Sequence, residues 1–205
     1  MNLDFEVANV SDLPSGQGDW VSVASGMPGW SVYLGGAQTN QIMHNNYYLA
    51  LAGVSILGPN FNDGFSHIQG RYTAHLAAGG SRTDTQVFVP AGIGQVGTIP
   101  SDARVVQFTM LAREPDYISL TFRGQAVPLS MVELGGGYRQ CLGDISAFAD
   151  QSGELRLSAL PAPSYPYNWA YLDDIKFLVP EPSATALVAL GAVLLALRRR
   201  KATPS

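Results

Sequence analysis

The sequence predicts an all-β domain, an antiparallel sandwich or barrel, followed by a single short apolar helix. Three observations carry this expectation. Short stretches alternate between apolar and polar residues with a period of two, the mark of a strand with one buried face. Glycine and proline fall between those stretches as turn signals, with 22 glycines and 13 prolines in 205 residues. The final segment, residues 179–205, departs from the rest in charge and hydropathy.

Taken in chain order, residues 104–111 form the first clear strand, Arg-Val-Val-Gln-Phe-Thr-Met-Leu. Residues 117–122 put Ile118, Leu120 and Phe122 on one face, because alternate side chains of a strand share a side. Residues 154–160 do the same with Leu155 and Leu157, and residues 174–177 close the series. Turns are expected at Pro28-Gly29, Gly35-Gly36, Gly79-Gly80, Arg123-Gly124 and Gly135-Gly136-Gly137, where glycine supplies backbone conformations other residues avoid. Many short strands with such turns indicate a sandwich or barrel. The clearest helical stretch in the body is 145–150, with Asp144 placed to cap it.

Composition excludes several functions. A chain that is 46% hydrophobic folds, although only 14% of it is charged. A formal net charge of −4 argues against nucleic-acid binding. One cysteine allows neither a disulfide framework nor a four-cysteine zinc site, and Arg139-Gln140-Cys141-Leu142 reads as a buried strand rather than a nucleophile's setting. The histidines are His44, His67 and His75, and no Gly-x-Ser-x-Gly or His-Glu-x-x-His spacing involves them. Acids are plentiful, but no pair stands out as glycosidase carboxylates. No glycine-rich phosphate loop opens a helix. The chain therefore reads as non-catalytic, with no catalytic residues assigned.

The charge is divided along the chain. Residues 1–178 carry 15 acidic and eight basic side chains, a net −7. Residues 179–205 carry Glu181 against Arg198, Arg199, Arg200 and Lys201, a net +3. This sets a domain boundary, with a β domain at 1–178 and a separate segment at 179–205. In that segment residues 184–197 are apolar apart from Thr185. As a helix they measure about 21 Å, short of the ~30 Å hydrocarbon core of a bilayer. A buried core helix is the competing interpretation. Against it stand the absence of a polar face, the arginine cluster that follows immediately and the isolating prolines Pro180 and Pro182.

Val179-Pro180-Glu181-Pro182-Ser183, a short apolar helix and a terminal arginine cluster resemble the PEP-CTERM sorting signal of exported proteins in Gram-negative, exopolysaccharide-making bacteria. The resemblance covers residues 179–201. It implies that a membrane-embedded exosortase reads Pro180, Glu181 and Pro182, and that Arg198, Arg199 and Arg200 end a temporary membrane anchor. The processed body then reaches the cell surface or the extracellular space. Such proteins carry an N-terminal leader. Met1-Asn2-Leu3-Asp4-Phe5-Glu6 has neither the basic nor the apolar region of one, so a leader is expected upstream of Met1.

The body has its own resemblance. Asn2-Leu3-Asp4-Phe5-Glu6, Pro28-Gly29-Trp30 and the closing stretch 171–177 resemble galactose-binding-like jelly rolls, including carbohydrate-binding modules. That implies a sandwich whose first and last strands lie close together, a polysaccharide partner, and a structural Ca²⁺ held by Glu6, Asp173 and Asp174. The alternative is that these acids face solvent or cap turns. Tyr165, Tyr167 and Trp169, with Tyr171, recur at every second position and are candidates for a sugar-stacking platform. Pro161, Pro163 and Pro166 put the first two in a loop. Trp169 and Tyr171 have the alternative of filling the core beside Trp30. His44-Asn45-Asn46-Tyr47-Tyr48 reads equally as a loop-borne site or as a plain turn with Asn side chains on the backbone. The chain is thus expected to be a non-catalytic surface or matrix protein associated with exopolysaccharide. A purely structural surface protein is the alternative, and a glycan-active enzyme a more remote one.

Overall fold

The computed structural model describes residues 2–11, 18–61 and 68–179. In chain order the strands are β1 (Trp20–Ser22), β2 (Ser31–Leu34), β3 (Ala37–Thr39), β4 (Gln41–His44), β5 (Gly53–Leu57), β6 (Thr73–Ala77), β7 (Gly79–Gly80) and β8 (Phe88–Val89). They continue as β9 (Ala91–Thr98), β10 (Val105–Ala112), β11 (Ile118–Phe122), β12 (Gln125–Ala126), β13 (Leu129–Gly135), β14 (Tyr138–Asp144), β15 (Ser152–Ala159) and β16 (Trp169–Leu178). Eight of them form one sheet in the order β1-β4-β5-β6-β16-β10-β14-β13, and six form a second in the order β12-β11-β15-β9-β2-β3. The expected antiparallel sandwich is present. Its one parallel pair among the described strands is β4 with β5.

The alternation seen in the sequence sets which face is buried. Ile118, Leu120 and Phe122 of β11 point inward beside Leu155 and Leu157 of β15, with Leu120 registered on Leu157. From the larger sheet, Val106, Phe108 and Met110 of β10 and Ala170 and Leu172 of β16 complete the same core. Cys141 belongs to this core and is fully buried. Burial pushes its thiol up to about 12, so it stays protonated and inert. Ahead of β1, Phe5 stacks on Trp30 with ring centroids 5.3 Å apart, and the Trp30 indole Nε1–H donates to the Asn2 carbonyl at 2.6 Å.

Three expectations are corrected here. Residues 145–150 hold one 3₁₀ turn, Ser146–Phe148, instead of an α-helix. Asp144 still acts locally, its Oδ1 accepting from the Ser146 N–H and hydroxyl, but the stretch ends where the Asp150 N–H donates to the Ile99 carbonyl and Asp150 turns left-handed, φ 62°. Gly79-Gly80 is a short strand against β8 rather than a turn. Its bare backbone packs against the chain at Ala50, Leu51 and Thr85, where a side chain has no room. Finally, the opening residues 2–6 are coil and turn rather than a strand, although they do lie near the last strand as expected, with Glu6 and Asp173 of β16 both holding the stretch 69–73.

Candidate functional site

The larger sheet has a second apolar face. Ala170 and Leu172 point into the sandwich, so Trp169 and Tyr171 must point away from it. With Leu57, Phe61 and Leu111 they form a separate apolar cluster on the outer side. Trp169 and Tyr171 therefore do not lie beside Trp30, which is in the inner core.

Strand register shapes this outer face into a cleft. One row across the sheet runs Gly53, Ala77, Trp169; the next runs Ser55, His75, Tyr171, Leu111, Tyr138. The first row offers little side chain at Ala77, which lines the hollow, and none at Gly53. The ring of Tyr48 lies where a Cβ on Gly53 would stand, so only glycine at 53 admits it. Tyr47 and Tyr48 form one side. Trp169, Tyr165 and Tyr167 form the other, and a cavity of about 440 Å³ lies between. The rings meet edge to face: Tyr165 and Tyr167 at 5.5 Å, Trp169 and Tyr171 at 5.4 Å. Tyr165 and Tyr47 expose 38% and 36% of their surface, enough to meet a ligand.

The loop that carries Tyr165 and Tyr167 is held by Asn168, which is fully buried. Its Nδ2 donates to the carbonyls of Glu114 and Leu160, both at 3.2 Å, and its Oδ1 accepts from the Glu114 N–H at 3.0 Å. Its own carbonyl accepts from the Ala78 N–H at 2.7 Å. Arg113 is fixed at the same junction through its N–H to the Trp169 carbonyl, and its guanidinium lies 3.6 Å above the Tyr165 ring. At the other side, Arg82 donates to the Tyr48 hydroxyl at 2.7 Å and covers the rings of Tyr48 and Trp20. Burial pushes the Tyr48 phenol up to about 12 despite the neighbouring Arg82 charge, so it stays neutral.

The predicted aromatic residues thus lie together: Tyr165 and Tyr167 in the loop, Trp169 at the start of β16, all lining one cavity. The 44–48 segment is both things at once. Asn45 and Asn46 accept backbone N–H groups from Gly58 and Tyr47, while Tyr47 and Tyr48 line the cleft. Arg113, Arg82 and Asn168 were not singled out in the sequence. An arginine in a loop carries no periodic signal, and the stacking partners are distant in sequence.

The three predicted metal-binding acids separate into a pair and a single. Glu6 Oε1 accepts from the N–H groups of Arg71 and Tyr72 at 2.8 and 3.1 Å. Asp173 Oδ2 accepts from the Gln69 N–H and the Thr73 hydroxyl, both at 3.1 Å. Both carboxylates thus clamp the stretch 69–73. A bulge puts Asp174 in a left-handed backbone conformation, φ 53°, and turns its side chain to Lys176 at 2.8 Å. Burial is the main cause that pushes Asp173 up to about 7, and the Glu6 charge adds to it. A buried carboxylate with a second carboxylate beside it is suited to a divalent cation. Among the described residues no group of three or more His, Cys, Asp or Glu side chains is assembled for a metal, so further oxygens would come from main chain or water.

The sorting residues Pro180, Glu181, Pro182, Arg198, Arg199 and Arg200, and the helix expected at 184–197, lie outside the described residues, as does His67. Among the described residues no helix is long and apolar enough to cross a membrane.

Comparison with known proteins gives two findings. Residues 178–201 match the PEP-CTERM protein-sorting motif, which marks an exported protein. Among solved structures, the chain is similar to a family 11 carbohydrate-binding module from Clostridium thermocellum in complex with a β-1,3-1,4-mixed-linked tetrasaccharide. The identity is 10%, the TM-score 0.40, and the match covers 79% of this chain and 95% of that one. A second similar structure is TmCBM61 in complex with β-1,4-galactotriose, at 10% identity and a TM-score of 0.33, covering 87% of this chain and 96% of that one. No curated protein matches the chain.

Proposed function

We propose that this is a non-catalytic surface or matrix protein that holds polysaccharide in the aromatic cleft. Exosortase processing at Pro180-Glu181-Pro182 would release its body from a transient membrane anchor. The observation that carries the binding function is the cleft itself. Six aromatic side chains from two chain segments, Tyr47 and Tyr48 in one and Tyr165, Tyr167, Trp169 and Tyr171 in the other, converge on a hollow large enough for a few sugar rings. Aromatic faces pack against the apolar faces of sugars, and nearby polar groups then fix orientation. A protein whose aromatics served stability alone would bury them, whereas Tyr165 and Tyr47 keep more than a third of their surface in solvent.

Affinity electrophoresis of the full chain through gels containing soluble polysaccharides tests this. At least one polymer should retard the protein, and Trp169→Ala with Tyr165→Ala should restore free mobility. Equal retardation of the double variant by every polymer would overturn the assignment of the cleft. We also propose that Glu6 and Asp173 hold a structural Ca²⁺. The ion would replace the proton on Asp173 and tie the amino-terminal segment to β16.

A further inference from the structure

We propose that the polysaccharide bound in this cleft is acidic, with Arg113 in its lining and Arg82, beside the Tyr48 wall, as the groups that recognise its carboxylates or other anionic substituents. This rests on the cleft being a glycan site and goes on to name the class of glycan.

The placement of positive charge carries the inference. Residues 1–178 have a net charge of −7, so a cleft placed without selection would be expected to contain carboxylates. None lines it, and Arg113 is its one permanently charged lining residue among those described. Most other cations of the body are engaged elsewhere. Arg139 pairs with Glu133 and Arg156 with Glu154, each at 2.6 Å, and Lys176 pairs with Asp174. Arg104 donates to the carbonyls of Ser101 and Ala103, and Arg123 to Gln151. Arg113 and Arg82 differ from these. Among the described residues each rests on aromatic rings and is paired with no carboxylate.

The acids next to these arginines in the chain form no ion pair with them among the described residues. Asp19 and Asp84 accept the N–H groups of Trp20 and Gln86. Glu114 follows Arg113 in sequence but does not line the cleft. A guanidinium laid flat on a ring keeps its in-plane N–H donors pointing outward. It is therefore ready to form a paired hydrogen bond to a carboxylate with little loss of freedom. For the hydroxyls of a neutral sugar the lining offers tyrosine hydroxyls but no carboxylate. The one amide lining this cleft, Asn168, spends its donors and acceptor on Glu114 and Leu160.

The test is isothermal titration of the full chain with polygalacturonate, with alginate, and with two neutral polymers, a mixed-linked β-glucan and a β-galactan. Arg113→Gln, Arg82→Gln and Trp169→Ala are titrated in parallel. Arg113 is exposed, so its variant should melt with the wild type, and that is measured first. We expect an acidic polymer to bind, about tenfold more weakly to Arg113→Gln, as suits the loss of one charge-assisted contact. Its affinity should also depend less on salt in that variant. A neutral polymer that binds as tightly, with Arg113→Gln and Arg82→Gln unaffected but Trp169→Ala impaired, would overturn the acidic specificity and leave the glycan cleft standing. Acidic polymer bound equally by wild type and both arginine variants would also overturn it, because Arg198 to Lys201 would then explain the binding. Binding of no polymer at all would remove both proposals.

Discussion

Asn168 gives the sharpest quantitative test of how the cleft is built. Replacing it with leucine keeps the volume but removes three hydrogen bonds: two to the carbonyls of Glu114 and Leu160 and one from the Glu114 N–H. Asn168 itself is fully buried, whereas its partners are only half-buried and water reaches part of them. Each bond is thus worth nearer about 1 kcal/mol than the larger cost of an orphaned group. The sum is about 3 kcal/mol. For a domain of this size that corresponds to roughly 6–12 °C in melting temperature. The same bonds hold the segment 160–168 against the 113–114 corner, so the substitution should also weaken polysaccharide binding through Tyr165 and Tyr167. Urea denaturation followed by tryptophan fluorescence measures the first effect, and affinity electrophoresis the second. A loss below about 1 kcal/mol, or normal binding at full occupancy of the folded state, would refute the claim that this side chain braces the site.

Three further outcomes are expected, two from the structure and one from the sorting motif. Gly53→Ala should displace the Tyr48 ring, which occupies the space of the new Cβ, and impair glycan retardation; unaltered retardation would count against Tyr48 as a cleft wall. Asp173 is pushed up to about 7 by burial, above its unfolded value. The native state therefore keeps a proton that the unfolded state releases, and stability falls as pH rises from about 4 to about 7. The contribution is on the order of 4 kcal/mol. In chelator, wild type should lose stability across that window relative to Asp173→Asn, and added Ca²⁺ should cancel the loss. An unchanged melting temperature at pH 8 with and without Ca²⁺ would contradict the metal site. For sorting, Glu181→Ala in the native host should leave a longer, membrane-retained form; equal processing of both proteins would contradict exosortase recognition of the motif.

Periodicity made much of the fold legible beforehand. The strands with one buried and one open face, such as Ile118–Phe122 and Ser152–Ala159, announce themselves by alternation. By contrast, β5 and β6 are buried on both faces, so their alternation, Val54 and Ile56 against Gly53 and Ser55, is short and has no exposed or charged residue to mark the outer face. The predicted helix at 145–150 stops after one 3₁₀ turn because the Asp150 N–H is taken by the Ile99 carbonyl and Asp150 adopts a left-handed conformation, φ 62°. At the site, the spacing of Tyr165, Tyr167 and Trp169 was visible, as was the acidic character of Glu6 and Asp173. The facing wall was not. Gly53 and Ala77 matter only because register sets them beside Trp169. Asp174 looked equivalent to Asp173 in sequence, and the bulge that turns it toward Lys176 is a tertiary feature.

The central claim is that sugar rings lie against the aromatic side chains of the cleft. Saturation-transfer NMR reports this contact: the aromatic protons of the protein are irradiated and the glycan ring protons are observed. With a polymer that retards the protein in gels, transfer to sugar ring protons should be strong for wild type and lost for Trp169→Ala with Tyr165→Ala. Transfer that persists undiminished in that variant would place the glycan elsewhere and contradict the account.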